Sequence, residues 1–407
     1  MMWRSLILVL WCAVGHAALA QTHGQHTPAP VTDGQFNPFI AAGPQGNFYL
    51  VYVQRVGGVS DVMLRVSRDG RTFSDPVRVN DRAGDATVRN ENPPKVVIAP
   101  NGDVYVCWAS ERARWKGDIR FARSVDGGKT FSPALTLNSD AGGEPAGHAF
   151  QSIAVDRRGH IYAAWIDERN KQQDDRGAEI FLTTSTDRGR TFAADRRILS
   201  DVCECCRTSL QTDAAGRIYL SYRMVPRSGP MLRNIVLARS QDGGRTFTPA
   251  VVSQDGWEVN GCPVVGPTFA IGSSGNITVA WFIGGGERAG LYFSHSGDGG
   301  STFAPRRLLD PQQKIGKHAH LAPLQNGQVF AVWDDAQEQT FSVRGLLDPR
   351  KGLVWRSRAD EGVAFPVVAV SGQTAVIVGM RLGTREIAIS TENLSSPGEV
   401  RPISGQH

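Results

Sequence analysis

The chain alternates apolar and polar residues in short runs, and the same alternation keeps returning. Runs such as Val104-Tyr-Val-Cys-Trp108 and Ile235-Val-Leu-Ala238 have strand length and strand composition. No long stretch carries apolar residues at helical spacing. Between the runs stands a polar turn, Ser-x-Asp-x-Gly-x-Thr-Phe. It occurs at Ser124–Phe131, Ser185–Phe192, Ser240–Phe247 and Ser296–Phe303, with a copy one residue shorter at Ser67–Phe73. Two strands joined by a polar, glycine-bearing turn predict a hairpin. The Asp carboxylate can accept backbone N–H bonds inside its own loop, and Gly allows positive φ.

A second repeat is more complete. A glycine turn leads into a strand at Gly46, Gly102, Gly159, Gly216, Gly275, Gly327 and Gly372, aromatic-bearing in all but the last. The steps between these positions are 56, 57, 57, 59, 52 and 45 residues by subtraction. Self-similar units of four short strands predict an all-β fold, a β-propeller of four-stranded antiparallel blades. Seven glycine turns favour seven units, with six blades as the alternative if the last unit completes the first.

Both repeats predict where chemistry lies. With strands A to D in each blade and A lining the channel, the glycine turns are A–B and the Asp turns C–D. These share one face. The B–C loops and the crossovers between blades share the other, the mouth. Residues far apart in sequence should therefore converge there.

The N-terminus has the form of a secretory signal. Arg4 precedes the apolar run Leu6–Val14, and Ala18-Leu-Ala20 is a small-residue cleavage site. The expected organisation is a signal peptide at 1–20, a flexible arm at 21–34 and one propeller domain at 35–403. Export makes the expected location secreted or periplasmic. No other run is long enough to span a membrane as a helix. The formal net charge of +5 is spread through interspersed charges of both signs. A nucleic-acid partner is therefore not expected, and a monomer is.

The Asp turns resemble the Asp-box of the sialidase (BNR-repeat) superfamily. That resemblance implies an anionic carbohydrate or glycoconjugate as partner and an exo-α-sialidase type of glycoside hydrolase as the activity. Such enzymes hold the substrate carboxylate with an arginine triad and use a tyrosine nucleophile paired with a glutamate, plus an acid. On the mouth loops, the implied clamp candidates are Arg112, Arg169, Arg207 and Arg223. Glu111, Asp167 and Glu168 are the implied acid or base groups, and Tyr222 is the available phenol. The family's first arginine has no counterpart here, because Asn37-Pro-Phe-Ile40 stands in its place.

The most unusual stretch is Cys203-Glu-Cys-Cys206, which opens the fourth unit, while Cys262 opens the fifth. Adjacent crossovers make a Cys206–Cys262 bridge an expectation, with Cys203–Cys205 or a vicinal Cys205–Cys206 bridge beside it. A soft-metal site for Cu or Zn, joined by His148, His318 or His320, is the second reading. A redox-active thiol is the third. No cofactor is required by the sialidase-like reading. The alternative function is a non-catalytic propeller that binds protein or metal through this Cys/His cluster.

Overall fold

In the computed structural model the described residues are 33–89, 91–172, 176–261, 263–285, 288–309, 316–325, 327–337, 340–347, 353–356 and 362–394. The expected signal and most of the expected arm lie outside them, as does the end of the expected domain. The described residues form strands and turns and contain no α-helix. No helix among them is long and apolar enough to cross a membrane.

The strands form seven antiparallel sheets, six of four strands and a last one of three. Each sheet is a simple meander in chain order, one sheet per glycine-turn unit. The innermost strands are Gly34–Ala42, Lys95–Ile98, His148–Val155, Ser209–Thr212, Thr268–Ile271, Gly316–Pro323 and Val363–Ser371. Each packs against the innermost strand of the next unit, and the seventh packs against the first, so the ring closes. Side-chain and backbone bonds fasten the closure. Gln35 N donates to Arg385 O at 2.7 Å, and Ile387 N donates to Gln35 Oε1 at 3.2 Å.

The core lies between sheets. Second-strand residues are buried on both faces, as in Val104–Ala109, Ile161–Asp167 and Ile218–Arg223. Trp108, Trp165, Trp281 and Trp333 sit at equivalent places and are 0–1 % exposed. They are inter-sheet core, as the alternation of their strands predicts.

The Asp turns are self-contained. In the fourth unit Ser240 Oγ donates to Asp242 Oδ1 at 2.8 Å, while Thr246 N and Thr246 Oγ1 donate to the same carboxylate at 3.0 and 2.6 Å. The turn glycine is needed for a second reason. A Cβ on Gly128 would lie 2.5 Å from Leu64 of the preceding sheet, and one on Gly189 would lie 2.7 Å from Phe121. The motif therefore closes its own hairpin and seats it on its neighbour.

Candidate functional site

The mouth is built by one backbone device used repeatedly. Asn37, Glu91, Phe150, Val264, His318 and Phe365 all have φ between 47° and 64°. Non-glycine residues rarely adopt this conformation. Each stands at or just before an innermost strand, and four of those strands carry a register shift at this level. In the fourth unit the matching position is Arg207, nine residues before Gly216, as Asn37 is nine before Gly46 and His318 nine before Gly327. Six units carry this left-handed residue, and Arg207 reaches the same level without it.

These residues bond across unit boundaries. Asn37 Nδ2 donates to Arg89 O at 2.6 Å, Phe150 N to Asn92 Oδ1 at 2.8 Å, and Thr208 Oγ1 to Phe150 O at 3.0 Å. At the centre, Arg207 Nη1 lies 3.3 Å from Glu91 Oε2 and His318 Nε2 lies 3.6 Å from Glu91 Oε1. His318 Nδ1 lies 2.6 Å from Asp334 Oδ2, which also accepts Phe365 N at 2.9 Å. Arg207 Nη2 donates to Ala319 O. Below this layer Lys95 packs 4.2 Å from the Phe39 ring. Burial, helped by the Arg207 charge, pushes the Lys95 ammonium down to about 7. Burial and the neighbouring Lys95 and Arg207 push His320 down to about 3. The space left among Asn37, Glu91, Arg207 and Phe365 is only ≈ 20 Å³. The centre of the mouth is thus a packed ionic plug.

The rim between the second and third units is different. Arg89 lies over two rings, 4.6 Å from the centre of Trp115 and 5.0 Å from that of Phe150. Its guanidinium makes no hydrogen bond and no ion pair within 4 Å among the described residues. Trp115 is 50 % exposed and has φ 64°. Glu111 fixes that conformation: its Oε1 accepts Trp115 N at 3.0 Å and its Oε2 accepts Thr87 Oγ1 at 3.0 Å. Glu168 faces the same guanidinium from the third unit. Its carboxyl is raised by burial, against the opposing pull of Lys171 and Arg89 and with Glu204 adding to the rise. Lys171 Nζ lies 3.7 Å from Glu168 and 3.2 Å from Glu204. Gly147 permits this approach, because a Cβ there would meet Glu168 Oε2 at 2.3 Å.

The structure distributes the sequence-predicted residues among several places. Glu111 and Glu168 stand at this rim, and Arg207 in the central plug. Asp167 and Arg169 belong to a buried network instead. Arg169 Nη2 lies 2.6 Å from both Asp167 and Asp195, and Asp167 also accepts Trp165 Nε1 at 2.8 Å. His148 joins it, with Nε2 at 3.2 Å from Asp167 and Nδ1 at 2.6 Å from Gly117 O. Arg112 pairs with Asp118 at 2.8 Å. Arg223 is 0 % exposed and donates to the carbonyls of Arg233, Val265 and Phe282. Tyr222 packs among Leu210, Leu220 and Val236, and burial pushes its phenol up to about 12. Arg112, Arg169 and Arg223 therefore form no shared clamp, since each guanidinium already has its own partner.

The cysteines correct one expectation. Cys203 and Cys206 are free thiols, so neither the Cys206–Cys262 bridge nor the Cys203–Cys205 or Cys205–Cys206 pairing is formed. Cys262 lies outside the described residues. Cys107 is also free and fully buried, as its strand predicts. The sulfurs of Cys203, Cys205 and Cys206 lie within 4.8 Å of one another, and no histidine joins that group among the described residues. His148 is held by the Asp167 network and His318 by Asp334, which separates them from the sulfurs.

Arg89, Glu91, Lys95 and Trp115 were not singled out from sequence. The signal was present in Val88-Arg-Asn-Glu-Asn92, a charged crossover entering an innermost strand. Its reading needed the left-handed kink at Glu91.

Residues 58–378 match the model of the BNR repeat-like domain family. No curated protein matches the sequence. Among solved structures, a Hadza microbial sialidase is 17 % identical with a TM-score of 0.50, covering 82 % of this chain and 73 % of its own. An ulvan lyase bound to a GlcA(1-4)Rha3S segment is 12 % identical with a TM-score of 0.57, covering 89 % and 94 %. The Penicillium chrysogenum α-L-arabinanase complexed with arabinobiose is 16 % identical with a TM-score of 0.51, covering 74 % and 93 %. At these identities the likeness is one of fold.

Proposed function

Because the chain belongs to the BNR repeat-like domain family, we propose that the rim between its second and third blades binds an acidic sugar of a glycan, of the sialic-acid or uronic-acid type. One observation carries this reading. The Arg89 guanidinium lies over two aromatic rings and makes no ion pair within 4 Å among the described residues, although Glu111 and Glu168 face it from further off. Stacking fixes the plane of the fork and leaves its edge for a carboxylate, which it would hold bidentately. The half-exposed Trp115 offers an apolar face beside that edge, suited to the C–H face of a sugar ring. The sialidase and the ulvan lyase with its GlcA ligand support the substrate class.

The same rim can supply acid–base chemistry. Glu168 has a raised carboxyl, so it holds its proton at higher pH than an ordinary glutamate and can protonate a glycosidic oxygen. Glu111 is the second carboxylate. The expected export signal would place this activity on glycans outside the cytoplasm. A second reading, a non-catalytic glycan-binding propeller, is favoured by Tyr222, whose phenol is in the core rather than at the mouth. A panel of acidic and neutral oligosaccharides separates the readings. Binding of acidic members with release of a monosaccharide supports a hydrolase, binding without release supports the module, and equal binding of neutral members contradicts both.

A further inference from the structure

The turn Cys203-Glu-Cys-Cys206 adjoins the rim through Glu204, which Lys171 bridges to Glu168, and its sulfurs have chemistry of their own. The sulfurs of Cys203 and Cys206 are 3.3 Å apart, and both are free. Cys206 N donates to Cys203 O at 3.5 Å, closing a turn across the four residues. Such a turn holds its end Cα atoms within about 7 Å, the span a disulfide bridges. Arg233 Nη1 lies 3.4 Å from Cys203 Sγ. Arg233 is itself fixed by Val259 O and Gly261 O, the latter at 2.6 Å.

We propose that Cys203 and Cys206 are a reversible dithiol couple, which closes to an intra-turn disulfide by exchange with an external small-molecule or protein disulfide. Cys203 is the attacking sulfur, because Arg233 faces it. Its thiolate attacks one sulfur of the external disulfide and displaces the other, which takes up a proton and leaves as a thiol. The Cys206 thiolate then attacks the Cys203 sulfur of the mixed disulfide and displaces the second external thiol. Two protein thiols are oxidised to one disulfide, and one external disulfide is reduced to two thiols that carry the two protons. The spacing is that of a Cys-x-x-Cys motif. The two thiols are also unequal: the Cys206 hydrogen bond, with Arg233 and Arg223 nearby, pulls Cys203 below the ordinary thiol range, while burial pushes Cys206 above it. A metal centre fits less well. Cys205 is not a free thiol, and the charged groups facing the sulfurs are cations, which favour a thiolate and repel a metal ion.

The test equilibrates the whole protein with glutathione buffers of graded oxidation until the product distribution stops changing, since burial slows exchange. Alkylation in denaturant and peptide mapping then read the linkage. A Cys203–Cys206 disulfide should rise progressively with oxidised glutathione and fall on return to reduced buffer. Cys206→Ser should trap Cys203 as a glutathione mixed disulfide, whereas Cys203→Ser should leave Cys206 unmodified. Both thiols staying alkylatable at every ratio, linkage to other cysteines instead, or stoichiometric Zn or Cu released on denaturation would overturn the proposal. Where a variant fails to fold, the wild-type series alone decides.

Discussion

The guanidinium of Arg89 lies 4.6 Å from the centre of the Trp115 ring and 5.0 Å from that of Phe150. Three segments meet to make this stack: a crossover, a B–C loop and a kinked innermost strand. Phe150 is fixed by its backbone bond to Asn92, and Trp115 by Glu111. The receptor is thus oriented before any ligand arrives.

Trp115→Ala removes one wall of the stack and the exposed ring. A cation–π contact of this kind contributes about 1 kcal/mol, or a factor of about five in affinity. Acidic-sugar binding should weaken by at least that factor with the melting temperature unchanged, because the ring is half exposed. Isothermal calorimetry beside a thermal melt checks both. Unchanged affinity would remove Trp115 from the site.

Glu168→Gln keeps the shape of the carboxyl and removes its proton. If the rim hydrolyses glycans, turnover should fall by roughly 100-fold or more while binding persists. Wild-type activity should decline as pH rises through the raised value of this carboxyl, since the acid must be protonated to act. A Gln variant with wild-type turnover would exclude Glu168 as the acid.

Arg223→Ala should destabilise without touching ligand binding. Three buried carbonyls, of Arg233, Val265 and Phe282, would lose their donor. A loss of roughly 3 kcal/mol or more in urea unfolding is expected. Lysine should not rescue it, because one ammonium cannot reproduce the planar fork. A lysine variant as stable as wild type would contradict this role.

Asp167 gives the fold a signature in acid. Burial pushes its carboxyl up, but hydrogen bonds from His148 and Arg169 outweigh this and hold it at about 2, against an ordinary 3.8. The unfolded chain then binds the proton first. The stabilisation is present above 3.8 and is lost as pH falls toward 2. Asp167→Asn should cost roughly 3–5 kcal/mol at neutral pH by leaving buried partners uncompensated. It should also flatten the pH dependence of stability in that window, read by tryptophan fluorescence. An equally steep dependence in the variant would show that other carboxylates carry it.

The ring was legible from punctuation. Gly46 through Gly372 marked each A–B turn and Asp69 through Asp298 the C–D turns of the first five units, and these gave the order of strands and the face that carries the mouth. Glu111 and Glu168 followed from that face assignment. What sequence could not resolve was the destination of each charge. Asp167, Glu168 and Arg169 run from the end of a second strand into its B–C loop, yet alternation sends Asp167 and Arg169 into a buried network and Glu168 to the rim. Arg223 looks like a mouth arginine by position, and only the three carbonyls around it reveal a structural brace. Arg89 was hidden for the opposite reason. Its lack of an ion pair within 4 Å is a property of packing, and the two rings it lies over come from residues 26 and 61 positions away by subtraction from Trp115 and Phe150.

Whether Arg89 holds the acid is decided by calorimetric titration of an acidic monosaccharide, such as sialic or glucuronic acid, into wild type and Arg89→Ala, with Arg112→Ala as the control from the same face. A bidentate, charge-assisted pair contributes about 1.5–3 kcal/mol. Arg89→Ala should weaken binding by roughly 10- to 100-fold, Arg112→Ala should leave it unchanged, and the neutral sugar of the same ring size should not bind. Equal affinity of the wild type and Arg89→Ala proteins for the acid would contradict it.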